Sequence, residues 1–141
     1  MTTRRNFIKT GCAACLGLGS FGVLLEACSA SMPLLKITSS DTGILKIPSE
    51  KFSVSNTMLI VRSSKLENDI LLLKKQGSFK ALYLHCTHEN QPLTPTSSKI
   101  YCTAHGSEFD LEGNVLKEPA LKPLKQFRTE EINNEIIIHL I

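Results

Sequence analysis

The sequence predicts an all-β fold, a sandwich or small barrel, on three observations. Short apolar runs alternate with turn signals along most of the chain. No segment sustains the 3.6-residue apolar period of a long amphipathic helix. A length of 141 residues suffices for one domain and not two. With 42% hydrophobic residues the composition is that of an ordinary globular protein, not a disordered chain.

The elements follow in order. "LLKIT" from Leu34 and "ILKI" from Ile44 are strands separated by the turn cluster "SSDTG". "SEKFSV" from Ser49 is a brief helical turn or part of a strand. "TMLIVR" (57–62), "DILLLKK" (69–75) and "FKALYLH" (79–85) are three more strands, the last two broken by Gln76-Gly77. The final segment, "KQFRTEEINNEIIIHLI", gives two strands around a hairpin turn at Asn133-Asn134. No internal repeat or low-complexity block is visible.

Ahead of these strands, residues 1–30 read as an address, which leaves 31–141 as the functional domain. "TTRRNFIK" resembles a twin-arginine export signal through Thr3, Arg4, Arg5, Phe7 and Lys9, with Ile8 in place of Leu. The uncharged run from Thr10 to Leu25 carries Gly11, Gly17, Gly19 and Gly22 and is shorter than the roughly 20 apolar residues of a membrane-spanning helix. The bland alternative is a basic N-terminus before a buried helix. "LLEAC" resembles a lipobox in which Cys28 would be lipidated; Leu25 and Ala27 fit it and Glu26 does not. A retained signal anchor and cleavage near Ala30 are the alternatives, and the first two would hold the domain at a membrane surface. Cys12 and Cys15 form a C-x-x-C spacing inside this run and read as small apolar residues of the signal. Arg4, Arg5 and Lys9 account for most of the formal +3 charge. The rest of the chain is close to neutral and has no basic footprint for nucleic acid.

The domain keeps two cysteines, Cys86 and Cys102, and each has a histidine close by. Cys86-Thr87-His88 is followed by Cys102-Thr103-Ala104-His105. Two thiols in an exported domain would most simply form a disulfide, but the adjoining histidines point to a metal. Each pair sets one sulfur and one nitrogen donor on a tight loop. A mononuclear zinc site is one solution, although zinc-finger spacing groups cysteine with cysteine and histidine with histidine. Cys-x-His is also a short bite for two ligands on one metal. A binuclear centre removes that strain, with both sulfurs on one metal and both nitrogens on the other. His85 and His139 read as strand histidines without a metal role.

These boxes, Cys86-Thr87-His88 and Cys102-Thr103-Ala104-His105-Gly106, resemble those of Rieske [2Fe–2S] proteins. The likeness continues through Phe109-Asp110, Gly113 and Pro119-Ala120 and covers roughly residues 35 to 140. It implies three stacked antiparallel sheets with one [2Fe–2S] cluster on two loops at one tip. Cys86 and Cys102 would bind one iron, and His88 and His105 the other. Gly106, Ser107 and Phe109 would surround the cluster, Ser107 as a hydrogen-bond donor. The chain departs from quinol-oxidising Rieske subunits at four positions. Gln91 and Ala104 stand where a loop-bridging disulfide would be, Glu89 replaces a docking leucine, and Phe109 replaces a hydrogen-bonding tyrosine. The resemblance implies an exported one-electron carrier for a redox protein. The alternatives are a small subunit paired with an oxidoreductase large subunit, molybdenum-dependent or of cytochrome bc type, and a zinc-stabilised interaction module. No catalytic residue of its own is expected.

Overall fold

A computed structural model describes residues 32–37 and 43–141. The paired arginines, Cys12, Cys15 and the lipobox with Cys28 lie outside the described residues. Among the described residues, eleven strands build two sheets. The larger sheet contains β1 (Leu34–Ile37), β2 (Ile44–Pro48), β3 (Met58–Ser63), β4 (Ile70–Lys75), β5 (Ser78–Tyr83), β10 (Gln126–Ile132) and β11 (Glu135–His139). Its order is β1-β3-β4-β5-β10-β11-β2. The smaller sheet contains β6 (Thr94–Pro95), β7 (Ile100–Tyr101), β8 (Glu108–Phe109) and β9 (Val115–Lys117) in chain order. Ser49–Lys51 form a single 3-10 turn.

The two hairpin turns read from the sequence have the expected cause. Lys75 pairs with Ser78 around Gln76 and Gly77, whose φ values are +50° and +80°. Ile132 pairs with Glu135 around Asn133 and Asn134, with φ +50° and +64°. Left-handed backbone at both central residues makes a turn whose twist matches the flanking strands, and Gly and Asn tolerate it best.

β4 explains how the layers join. Its run Ile70-Leu71-Leu72-Leu73 is buried throughout. Ile70 and Leu72 pack with Leu45, Ile47, Val61, Phe127, Ile136 and Ile138 in one core. Leu71 and Leu73 point the other way, into a second core with Leu82, Ile100, Phe109 and both cysteines. Side chains alternate along a strand, so only an unbroken apolar run can serve two cores at once.

The three antiparallel layers implied by the resemblance thus take a particular form. The small sheet is one layer. The other two are the ends of the large sheet, continuous through β10, which pairs with β5 at Gln126 and Phe127 and with β11 from Arg128 to Ile132. The pairing of β1 with β3 is parallel, so the large sheet is mixed rather than wholly antiparallel.

An ion-paired cluster ties the two sheets together on one side. Glu112, in the turn between β8 and β9, accepts from Lys75 Nζ at 2.6 Å and also from Lys80. The hydrogen bonds from Lys75 and Lys80 hold its carboxyl down to about 2, from an ordinary 4.5. A lowered folded value gives stability that is complete above pH 4.5 and is lost as pH falls toward 2. Urea unfolding across that window should therefore show a shallower acid loss for Glu112→Gln than for the wild type; parallel losses would contradict the pairing.

Candidate metal centre

The cysteine–histidine pairs sit on two hairpins of similar construction. After β5 the chain turns back on itself. Leu93 N–H donates to Leu84 O at 3.2 Å, His85 bridges Pro92, and Cys86 N–H donates to Gln91 O at 2.8 Å. Thr87–Asn90 form the tip. In the second hairpin Ile100 pairs with Phe109 and Tyr101 with Glu108. Cys102 N–H then donates to Ser107 O at 2.8 Å, and Thr103–Gly106 form the tip. Each cysteine is the last paired residue at its hairpin neck, and each histidine lies in the tip beyond.

Burial follows from that placement. Cys86 and Cys102 are 0% and 2% exposed, both free thiols, and both belong to the core beneath the hairpins. His88 and His105 are exposed, with ring centroids 5.0 Å apart and planes at 82°. The thiols therefore lie on the interior side of the two tips and the imidazoles on the solvent side. Ligand atoms of His88, Glu89 and His105 all lie within 4.8 Å of one another. Glu89 was set apart in the sequence only as a departure from the family pattern. Its approach to His105 crosses between hairpins, so no local spacing could reveal it.

The surrounding residues also have defined places. Gly106 has φ +79°, a left-handed conformation that closes the tip as its N–H returns to Cys102 O at 3.0 Å. Phe109 is fully buried in the core that holds the two cysteines. Ser107 is fully buried, and its Oγ accepts from Ala120 N–H at 3.0 Å. Removing that acceptor leaves a buried N–H without its partner, which costs about 1–3 kcal/mol. Ser107→Ala should lower unfolding stability by that amount in a urea titration.

The segment from Pro119 to Leu124 proves to be a strap across both hairpins. Ala120 binds Ser107 in the second hairpin, and Lys122 O accepts from Thr87 Oγ1 at 2.7 Å in the first. Leu124 N–H anchors its end to Gly113 O at 2.8 Å. Pro119-Ala120 fits the family pattern without a role visible in the sequence, and the Thr87–Lys122 contact has no sequence signal at all. Single polar residues in loops carry no periodic signal.

The remaining histidines stand elsewhere. His85 stacks on Tyr83, centroids 5.1 Å apart. His139 Nε2 is 2.7 Å from Glu130 Oε1.

The donor set suits a centre needing two soft thiolates and two imidazoles. Two free, buried sulfurs in one cluster and two adjacent exposed rings supply it. The sequence matches the Rieske [2Fe–2S] domain over residues 48–128. It is 25% identical over 136 residues to cytochrome b6-f complex iron-sulfur subunit 2 of Trichormus variabilis, spanning 87% of this chain and 76% of that protein. Among solved structures it is similar to the cyanobacterial plasma membrane Rieske protein PetC3 from Synechocystis PCC 6803. Identity there is 27% and the TM-score 0.50, over 58% of this chain and 85% of that one. A likeness in fold alone extends to a chain of the oxygenase–ferredoxin complex of carbazole 1,9a-dioxygenase. That match has a TM-score of 0.52 at 21% identity, over 70% and 94% of the two chains.

Proposed function

Because this chain belongs to the Rieske [2Fe–2S] domain family, an electron-transfer family, we propose that it is an exported one-electron carrier. In this reading Cys86 and Cys102 hold one iron of the cluster, and His88 and His105 hold the other. When bound, such a cluster takes up and returns a single electron, at potentials of about −150 to +300 mV. The observation that supports the reading is the division of the tip into buried thiols and exposed imidazoles. The core shields the sulfurs from water and oxidants, while the two rings offer the face at which a partner exchanges electrons.

The chain's own residues adjust this centre. Ser107 accepts from Ala120, so its own hydroxyl proton is still available as a donor; in this reading it donates to the cluster and favours the reduced, more negative state. Phe109 offers no donor. Phe109→Tyr should supply one and raise the potential by on the order of 40 mV, the equivalent of about one hydrogen bond. An unchanged or lowered potential in a redox titration would argue against this picture of the pocket.

Export rests on Arg4 and Arg5, and surface anchoring on Cys28. Thiols sent unfolded into an oxidising compartment could pair or be oxidised, whereas twin-arginine export carries folded, loaded proteins. The similarity to cytochrome b6-f iron-sulfur subunits favours a second reading, a subunit of a membrane oxidoreductase. Glu89 weighs against docking into an apolar quinol pocket, since burying a carboxylate there is costly. Cell fractionation tests the proposal. The wild type should be found loaded outside the cytoplasm, bound to the membrane through Cys28. An Arg4→Lys/Arg5→Lys protein should stay inside with its iron. A cytoplasmic wild type would overturn export, and a large subunit that stays bound through purification would favour the second reading.

A further inference from the structure

We propose that Glu89 is a tuning residue whose carboxylate, facing His105, makes the centre harder to reduce. The proposal rests on the reading of His105 as an iron ligand. Glu89 Oε2 stands 3.7 Å from Nε2 of His105. The two residues belong to different hairpins, so the fold itself brings them together. With Nε2 turned to Glu89, Nδ1 is the nitrogen of His105 left for a metal.

Two effects act in the same direction. A negative charge beside the centre opposes the arrival of an electron. A carboxylate at the outer nitrogen of a metal-bound imidazole makes that ring a stronger donor, which favours the oxidised metal. Both side chains are open to solvent, Glu89 at 58% and His105 at 42%, so water screens the effect. The expected size is roughly three- to tenfold in the equilibrium constant for reduction, tenfold being about 59 mV for one electron.

The test is a redox titration of the loaded protein at pH 7, with iron and acid-labile sulfide measured on each sample. Glu89→Gln should reduce more readily by the stated factor. Glu89→Asp should stay closer to the wild type, and Glu131→Gln, an exposed carboxylate neutralised on β10, should not move. The Glu89→Gln shift should also shrink in 1 M salt, where the screening length is about 3 Å. A fully loaded Glu89→Gln protein at the wild-type potential overturns the proposal alone. So does an equal shift in Glu131→Gln, which would make the effect one of net charge. If Glu89→Gln fails to load while Glu89→Asp loads, the carboxylate serves assembly and the tuning role is overturned. A wild type without iron or sulfide overturns the underlying reading of the centre, and the proposal with it.

Discussion

A Cys86→Ser protein is expected to come through purification with its iron and acid-labile sulfide reduced more than tenfold, from roughly two of each per chain. The thiolate, not the thiol, is the metal ligand, and a serine hydroxyl does not ionise near neutral pH. Position makes the loss complete rather than partial. Cys86 is wholly buried at the neck of its hairpin, fixed by its N–H to Gln91 O, so water cannot readily substitute for the missing sulfur. Cys102→Ser should behave alike, since Cys102 occupies the same place opposite Ser107. His85→Ala is the matched control. It lies one residue from Cys86, stacks on Tyr83, and should keep its metal. Iron retained in either serine variant, or lost in His85→Ala, would contradict the assignment.

The second large effect is expected in β4. Leu71→Ala and Leu72→Ala each remove a fully buried side chain and should each cost about 2–5 kcal/mol in unfolding stability. The two differ in what else they change. Leu71 shares its core with Cys86, Cys102 and Phe109, so its loss should also alter the visible spectrum of the loaded protein. Leu72 lies on the opposite face, among Leu45, Ile47 and Phe127, and should leave the spectrum alone. Equal spectral changes in both, or a cost below about 1 kcal/mol in either, would contradict the two-core arrangement.

That arrangement was only partly legible in the sequence. Most strands of the large sheet were readable because they are runs of apolar residues bounded by turn chemistry, as at Gln76-Gly77, and the mostly polar β10 was readable through its hairpin turn at Asn133-Asn134. The small sheet was not. Thr94–Pro95, Ile100–Tyr101 and Glu108–Phe109 are two residues each, too short for any period to register, and the segment around them reads as a polar loop. The parallel partnership of Leu34–Ile37 with β3 is a choice between distant segments that local pattern does not encode. The candidate donors were legible for the opposite reason. Each cysteine and its histidine lie within one hairpin tip, so spacing alone displays them. The contacts that brace the tips, Thr87 to Lys122 across 35 residues and Glu89 to His105, exist only once the hairpins are brought together.

The central claim, sulfur donors from Cys86 and Cys102 on one iron and ring nitrogens from His88 and His105 on the other, is tested most directly by pulsed electron paramagnetic resonance of the dithionite-reduced protein with 15N-labelled histidine. The account predicts a spin-½ signal coupled to two histidine nitrogens, one coupling disappearing when either His88 or His105 is replaced. A colourless protein that stays diamagnetic after reduction, or a spin signal with no histidine coupling, would contradict it.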